Sequence, residues 1–274
     1  MKKVTVLIPC YNEAEAIATV VRKFPREQLG RYGFDLDIVV IDNNSTDGTA
    51  EAAAAAGARV ITEMERGKGN AIRAGFHAID ETTDYVVMLD GDDTYKPEEI
   101  WRLVEPLDSG FADVIIGSRM HGRIRKGSMK RLNHTGNLLY SSLVRATYKV
   151  TVTDVLTGYF AWKREVVEDL RGHLRSSGFA IEMEMVTKMA RLGYPIYSVP
   201  ISYDPRRGDS SLNPVRDGAR ILNMYLKNLR WKPTLVKNAE VSRGRLKFVR
   251  TFTITKTIKR ISRRHEAPHD RSRV

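Results

Sequence analysis

The sequence has a single cysteine, Cys10, among its 274 residues. One cysteine cannot form an internal disulfide, and it excludes a zinc site built from several cysteine ligands. No stretch reaches the ~18 consecutive apolar residues that a membrane-spanning helix requires. The apolar run near the amino terminus is short and contains Pro9, which is typical of a buried strand rather than of a signal peptide. We therefore expect a cytoplasmic protein that does not span a membrane by itself.

Glycine-rich nucleotide loops are also missing. The first apolar run is not followed by G-x-G-x-x-G, and the segment 67–69 lacks the spacing and the Ser or Thr of a P-loop. A dinucleotide-binding enzyme and a sugar nucleotidyltransferase, which needs a glycine-rich loop after its first strand, are therefore disfavoured. Lys68 lies at the expected start of a helix, where it is either a phosphate ligand or an ordinary surface lysine.

Acidic residues are scarce at the carboxyl-terminal end of the chain. The net charge is +12, and 14 of the 45 Lys and Arg but only 3 of the 33 Asp and Glu lie at 230–274. We predict a domain over 1–230 and a basic tail over 231–274. The tail either binds an anionic surface, of a membrane or a nucleic acid, or is a solvated segment. We expect no nucleic-acid partner, because the positive charge lies outside the predicted domain.

Strand and helix patterns alternate through the first 117 residues. Buried-strand runs are predicted at 3–9, 36–42, 58–62, 85–90 and 113–117. Helices are predicted between them, from Asn12 to Phe24, from Asp47 to Ala56, from Gly69 to Ile79 and from Pro97 to Leu107. This alternation predicts an α/β fold with a mainly parallel, Rossmann-like sheet flanked by helices. The second half is different: it predicts amphipathic helices at 128–150 and 213–230, a helix at 181–192 and a strand at 194–201.

Polar clusters follow three of the predicted strands, at the edge where open α/β sheets bind ligands. Tyr11, Asn12 and Glu13 follow the first strand, a run beginning at Asp42 follows the second, and Asp90-Gly91-Asp92 follows the fourth. Two carboxylates at alternate positions can hold one hard cation, and Mg²⁺ and Mn²⁺ prefer oxygen ligands. The alternative is an acidic turn that caps the next helix. We predict that Asp90 and Asp92 bind Mg²⁺ or Mn²⁺.

These motifs resemble the family 2 glycosyltransferases, which have the GT-A fold. The resemblance rests on Pro9-x-Tyr11-Asn12-Glu13, Asp42-x-x-Ser45-x-Asp47-Gly48-Thr49, Lys68-Gly69-x-Ala71 and Asp90-x-Asp92. In the second half, Gly117-Ser118-Arg119, Asp154-x-x-Thr157-Gly158-Tyr159 and Gly208-x-Ser210-Ser211-Leu212 resemble the dolichyl-phosphate mannosyltransferase branch of polyprenyl-phosphate hexose synthases. The resemblance covers about residues 3–230.

The resemblance implies roles for the matching residues. The donor, a UDP- or GDP-sugar, would be held by Pro9, Tyr11, Asn12, Glu13, Asp42, Asn44, Lys68, Asp90 and Gly91. The phosphate of a polyprenyl acceptor would be bound by Arg119, Arg131, Thr135, Arg207 and Ser210. Asp92, Arg119, Arg131 and Glu184 are the candidate catalytic residues. Glu182 and Glu184 are candidates for orienting the sugar, and for a hydroxyl acceptor Glu184 is the first candidate for the general base. The alternative for Glu184 is a solvated helix face.

The expected reaction is metal-dependent, inverting transfer of a hexose to a polyprenyl phosphate. Transfer to a hydroxyl of a glycan or small molecule is the alternative enzyme function, and a basic nucleic-acid-binding protein is the alternative outside the enzymes. Because a polyprenyl acceptor stays in the bilayer, we expect peripheral attachment to the cytoplasmic face of the membrane. The two amphipathic helices and the basic tail, or a membrane-anchoring protein partner, would provide it.

Overall fold

A mixed sheet forms the centre of the computed structural model, which describes residues 1–206 and 213–233. Its strands are β1 (Lys2–Cys10), β2 (Phe34–Asp42), β3 (Arg59–Thr62), β4 (Thr83–Met88), β5 (Val114–Ile124), β6 (Phe160–Lys163) and β7 (Ile196–Tyr203). Within the described residues the strand order is β3-β2-β1-β4-β6-β5-β7. Only β6 among these strands runs antiparallel to its neighbours. The predicted α/β class and mainly parallel sheet are confirmed.

Helices cover both faces of this sheet. They are α1 (Ala14–Arg22), α2 (Arg26–Arg31), α3 (Thr49–Ala55), α4 (Lys68–His77), α5 (Trp101–Asp108), α6 (Arg131–Tyr148), α7 (Arg164–Arg171), α8 (Ile181–Leu192) and α9 (Pro214–Asn228), with a 3₁₀ turn at Pro97–Glu99. Alternate side chains of a strand point to opposite faces. Leu7 therefore packs in the core with α4 and α6–α9, whereas Ile8 packs in the second core with α1–α3 and α5.

The strand ends are aligned at one edge of the sheet. Cys10, the last residue of β1, is paired in register with Asp42, the last residue of β2. On the other side of β1, Leu7 is paired with Met88 at the end of β4. The loops that follow β1, β2 and β4 therefore leave the sheet next to one another, as the sequence pattern predicts.

Several boundaries differ from those predicted. Strand β4 ends at Met88, so Asp90 lies in the following loop and not at the end of the strand, and β5 extends to Ile124. The helix predicted at 128–150 is shorter, and Asp47 precedes the N-cap residue Gly48 instead of occupying that position. The sequence analysis missed three short elements, α2, β6 and α7, each of which has at most eight residues.

The predicted tail lies almost wholly outside the described residues. Residues Met1–Lys232 form one compact unit, and the predicted domain boundary at 230 stays a prediction. Among the described helices, none has the length and apolar character needed to cross a bilayer.

Candidate active site

Hydrogen bonds join the loops that follow β1 and β2. Asn12 donates its backbone N–H to Ser45 Oγ at 3.0 Å, and Thr46 N–H donates to Asn12 Oδ1 at 3.0 Å. Glu13 N–H donates to Thr49 Oγ1, and Ala14 N–H to Asp47 Oδ2. These bonds fix the two polar loops as one unit at the edge of the sheet.

Asn43 and Asn44 shape the second of these loops. Asn44 adopts a positive φ of 59°, a conformation that asparagine tolerates better than most residues. The Asn43 amide donates to the carbonyls of Glu63 and Glu65 and accepts from Gly67 N–H at 2.6 Å. A carboxylate can only accept, so an amide is required to hold both groups. Asn43 thereby positions the start of α4, which carries Lys68.

Asp42 and Tyr11 lie beside this unit. Asp42 Oδ2 accepts from Ser45 N–H at 3.3 Å, while Oδ1 is buried with no hydrogen-bond partner among the described residues. A buried acceptor without a partner is costly, and a ligand N–H or O–H would satisfy it. Tyr11 is 36% exposed, and the Arg66 guanidinium lies 4.7 Å from the centroid of its ring. Sequence reasoning missed Arg66, because no motif residue marks it.

Asp90, Gly91 and Asp92 follow β4 and face this unit. Asp92 Oδ1 accepts from Thr94 N–H at 3.2 Å and from Thr94 Oγ1 at 2.6 Å. A Cβ atom on Gly91 would lie 2.4 Å from Cys10 Sγ, so glycine is required where this loop crosses the end of β1. A Cβ atom on Gly158 would lie 2.3 Å from Asp90 Oδ2, which shows how closely that loop covers the acidic pair.

Two basic side chains neutralise part of the acidic cluster. Lys68 Nζ lies 2.8 Å from Asp90 Oδ1 and 2.7 Å from Glu182 Oε1, and its side chain is only 16% exposed. The alternative of an ordinary surface lysine is therefore wrong. Arg206 donates through one terminal nitrogen to Asp92 Oδ2 at 2.7 Å and through the other to Glu13 Oε1. Sequence reasoning missed Arg206, and the acceptor role predicted for its neighbour Arg207 stays a prediction.

Burial and mutual repulsion perturb these carboxylates. Burial raises the pKa of Glu13 to about 7, because the nearby Arg206 offsets only part of that effect. The pKa of Asp92 is also raised, first by burial and then by the negative charge of Asp90. Burial would lower the pKa of Lys68, but its ion pairs with Asp90 and Glu182 outweigh burial and raise it. The cluster therefore has more negative charge than its own cations compensate, and a cationic ligand would relieve it.

Arg119 is held in a buried ion pair. Its Nε and NH2 atoms donate to Asp154 Oδ2 and Oδ1, each at 2.8 Å, and NH2 also donates to the carbonyl of Leu156. The guanidinium stacks over Tyr203 at 5.1 Å and the residue is 8% exposed. These contacts give Arg119 a structural role, and its predicted binding of an acceptor stays a prediction.

The remaining predicted acceptor residues are Arg131, Thr135, Arg207 and Ser210. Arg131 and Thr135 are exposed on the first turns of α6. Arg207 and Ser210 lie outside the described residues. The described part of the chain therefore brings together the predicted donor and metal residues but does not test the complete acceptor set.

Glu184 has a different environment from the predicted one. It is 1% exposed, so the alternative of a solvated helix face is wrong. Its carboxylate accepts from the backbone N–H groups of Arg175 and Ser176 and is paired with Lys188 Nζ at 2.6 Å. Glu184 thus holds the loop before α8. Of the two glutamates predicted to orient the sugar, Glu182, two residues earlier, is the one whose carboxylate pairs with Lys68 in the cluster.

Relatives of known name match this chain closely. A family model described as Glycosyl transferase family 2 matches residues 5–171. Glycosyltransferase AglJ of Haloferax volcanii is 40% identical over 227 residues, which cover 81% of this chain and 71% of that protein. A dolichyl-phosphate hexose transferase of the same organism is 35% identical over 218 residues, covering 79% and 89% of the two chains. An undecaprenyl-phosphate mannosyltransferase of Micrococcus luteus is 29% identical over 239 residues, covering 81% and 92%.

The fold is also that of a solved structure. A crystal structure of glucosyl-3-phosphoglycerate synthase from Mycobacterium tuberculosis superposes with a TM-score of 0.65 at 22% identity, covering 86% of this chain and 88% of that one. The predicted GT-A fold and the predicted family are confirmed. On the match over 167 of its residues and on its similarity to AglJ, this chain belongs to glycosyl transferase family 2 and is a glycosyltransferase.

Proposed function

We propose that this enzyme transfers a hexose from a nucleoside diphosphate sugar to the phosphate of a polyprenyl lipid. The observation that carries this proposal is the acidic cluster around Asp90 and Asp92 in a chain 35% identical to a dolichyl-phosphate hexose transferase. The undecaprenyl-phosphate mannosyltransferase of Micrococcus luteus supports the same class of acceptor. The names of both relatives include a lipid phosphate. This favours a phosphate over a hydroxyl as the acceptor group.

The residues present fit a divalent cation. Asp90 and Asp92 supply hard oxygen ligands. Burial and then the charge of Asp90 raise the pKa of Asp92, and a bound cation would stabilise its ionised form. No group of three or more metal-binding side chains occurs among the described residues. Two carboxylates alone suit Mg²⁺ or Mn²⁺, which keep several waters and bind substrate diphosphate oxygens. When bound, the cation would neutralise the leaving nucleoside diphosphate.

The donor would be bound by the joined loops that follow β1 and β2. Asp42 Oδ1, which lacks a partner among the described residues, would accept a hydrogen bond from the base or ribose. Tyr11, backed by Arg66, offers an aromatic face for the base. Lys68 at the start of α4 lies where its ammonium and the helix N-terminus would both face a diphosphate. Glu182 Oε2, also buried without a partner in the described residues, would orient a sugar hydroxyl.

The acceptor phosphate would attack the anomeric carbon of the sugar directly. A phosphate monoester has a second pKa of about 6, so its oxygen is already ionised near pH 7. This chemistry needs no strong general base, which agrees with the structural role of Glu184. A single in-line displacement gives inversion at the anomeric carbon. Arg131 and Thr135 at the start of α6 would bind the phosphate.

Helices α6 and α9 would bring the enzyme to its lipid acceptor at the cytoplasmic face of the membrane. They pack together, with Tyr140 Oη donating to the Gly218 carbonyl at 2.9 Å. Large apolar side chains stay exposed on both, namely Leu132, Leu138, Leu139, Val215, Leu222 and Leu226. Exposed apolar residues beside basic ones are typical of helices that lie in a membrane interface. The basic tail, predicted to reinforce this attachment, lies outside the described residues.

Product analysis tests the proposed function. The purified enzyme would be offered a panel of UDP- and GDP-hexoses with Mn²⁺ and a polyprenyl phosphate, and the lipid product identified by mass spectrometry. We expect a polyprenyl-phosphate hexose from at least one donor, and no product when the matched free polyprenol replaces the phosphate. Transfer to polyprenol, or to a soluble hydroxyl acceptor only, would contradict the proposal.

A further inference from the structure

Each carboxylate of the acidic pair already has a cationic partner supplied by the chain. Asp92 Oδ2 accepts from Arg206 at 2.7 Å, and Oδ1 accepts two hydrogen bonds from Thr94. Asp90 Oδ1 is paired with Lys68 at 2.8 Å, and Oδ2 lies against Gly158. Both oxygens of Asp92 are thus engaged by the chain itself, so a metal ion that binds Asp92 must displace or share one of these contacts.

The two internal cations are held to different extents. Lys68 projects from the first position of α4, its side chain is 16% exposed, and Glu182 gives it a second buried partner. Arg206 lies beyond the end of β7, and its side chain is 30% exposed. Its long flexible side chain can reach solvent without moving a helix or a strand. Arg206 is therefore the cation that can leave the cluster at lower cost.

Charge explains why a cation occupies this place at all. Glu13 and Asp92 both bond to the Arg206 guanidinium, and Asp90 lies in the same cluster. Without that guanidinium the buried carboxylates would face one another with only Lys68 to offset them. A divalent ion carries twice the charge of a guanidinium and would satisfy the same oxygens.

We propose that Arg206 is an internal counter-cation that competes with the divalent metal for Asp92, so that metal entry requires its guanidinium to leave. The inference rests on the proposed metal requirement. It predicts that the enzyme without nucleotide binds metal weakly because Arg206 already occupies the place. Removing the guanidinium must therefore strengthen metal binding, the opposite of what loss of an ordinary binding residue does.

Direct metal binding tests the inference. The full chain, stripped of metal with chelator and without nucleotide, would be titrated with Mn²⁺ while the free ion is followed by electron paramagnetic resonance. We expect Arg206→Met to bind Mn²⁺ roughly tenfold more tightly, which corresponds to about 1.4 kcal/mol. Arg206→Gln should behave like Arg206→Met, and Arg206→Lys, which keeps the charge, should stay close to the native affinity.

Thermal unfolding supplies a second measurement, independent of affinity. Metal-free Arg206→Met should melt below the native enzyme and should gain more in Tm from saturating Mn²⁺. Arg59→Met is the matched control, since Arg59 pairs with Asp37 at 2.9 Å near the opposite end of the strands. Arg59→Met removes the same charge. It should change neither the Tm of the metal-free enzyme nor the gain in Tm from Mn²⁺.

The outcomes separate this inference from the function on which it rests. If Arg206→Met and Arg206→Gln bind Mn²⁺ no more tightly than the native enzyme, the inference is wrong. If the native enzyme binds Mn²⁺ neither alone nor with UDP or GDP, the proposed metal requirement itself is wrong. If Arg206→Lys also bound Mn²⁺ more tightly than the native enzyme, the shape of the guanidinium and not its charge would limit metal binding. That result would overturn the counter-cation argument.

Discussion

At the scale of single residues, the site concentrates negative charge in a buried place. The Cys10 thiol is affected by this negative charge. Burial raises its pKa well above the usual value, and the nearby carboxylates raise it further, namely those of Glu13, Asp42, Asp90 and Asp92. Such clusters are unfavourable for folding and favourable for binding cations. Two consequences can be measured in the enzyme itself.

The first prediction concerns Glu13 and pH. Burial raises the pKa of Glu13 from 4.5 in the unfolded chain to about 7, so the folded state binds more protons between these values. Stability must then fall as pH rises through this range, by about 2 kcal/mol. Urea unfolding in chelator at pH 5 to 8 measures it. Glu13→Gln should flatten the dependence of the free energy of unfolding on pH, whereas Glu51→Gln, at an exposed position, should not. Equal slopes in the native enzyme and the two variants would refute the raised pKa of Glu13.

The second prediction concerns Asp92. Asp92→Asn keeps the shape and the acceptor for Thr94 but loses the charge that would hold the metal. We expect the variant to fold and kcat/KM for transfer to fall by about 10²- to 10³-fold, as for the loss of other charge-stabilising groups. Asp108→Asn, in a pair with Lys2 at the other end of the strands, is the control. Full turnover by the native enzyme in excess chelator would contradict the metal assignment.

At the scale of secondary structure elements, buried polar contacts tie two loops to the helices beside the site. The loop at 152–158 docks on α6 through Asp154, whose carboxylate accepts from Asn137 at 2.5 Å and from Arg119 on β5. A second loop, at 174–177, is held by Glu184 and packs against the start of α4, where Gly69 N–H donates to the Ser177 carbonyl at 2.9 Å. These two loops border the site, so their support affects its geometry.

The third prediction concerns the buried pair between Arg119 and Asp154. Asp154→Ala leaves the Arg119 guanidinium buried without its partner, and we expect a loss of about 3–5 kcal/mol in the free energy of unfolding. Urea unfolding measures it. The double variant Arg119→Met with Asp154→Ala should lose less than the sum of the two single changes, because no uncompensated charge is left. Additive losses would show that the two side chains do not depend on each other.

The fourth prediction concerns the contact between α4 and the loop at 174–177. A Cβ atom on Gly69 would lie 2.1 Å from the backbone oxygen of Ser176, which cannot move as a flexible side chain would. Gly69→Ala should therefore destabilise the enzyme by about 1–3 kcal/mol, and it should weaken donor binding by displacing Lys68. Gly172→Ala is the matched control, since nothing lies within 4 Å of its Cβ position. Equal Tm values for the two variants would contradict this packing.

At the scale of the whole molecule, the polar site and the exposed apolar helices lie on one compact unit. Donor residues come from the loops of β1, β2 and β4, whereas α6 and α9 present exposed leucines next to basic residues such as Arg131, Arg216 and Lys227. A lipid acceptor requires both features on one enzyme, since its phosphate must reach the sugar while its chain stays in the bilayer.

The fifth prediction concerns binding to membranes. The full chain should co-sediment with liposomes that contain anionic lipid, and binding should decrease with salt. Leu139→Ser, at a position 60% exposed on α6, should weaken binding, whereas Phe111→Ser, at a position 65% exposed before β5, should not. A version that ends at Lys232 should also bind less while still binding the soluble donor. If the full chain does not bind anionic liposomes and no membrane-anchoring partner is found, the lipid-acceptor proposal loses much of its support.

The sequence predicted most of the first half because its signals are local. A buried run that ends in a polar cluster marks both a strand and the place where that strand leaves the core, so β1, β2, β4 and the site loops were found. β6 was missed because three apolar residues followed by a lysine do not distinguish a strand from a buried helix segment. Its antiparallel insertion between β4 and β5 depends on partners distant in the sequence.

The α/β class and the acidic residues after the strands follow from local sequence, because strand length, turn residues and hydrophobic pattern act over a few neighbouring positions. Which cationic side chains pair with those acids depends on the tertiary structure. Arg206 meets Glu13 across 193 positions of sequence, and Glu182 reaches Lys68 through the packing of α8 near α4. Electrostatic partners are chosen by distance and burial in the folded chain, and neither quantity can be read from spacing along it.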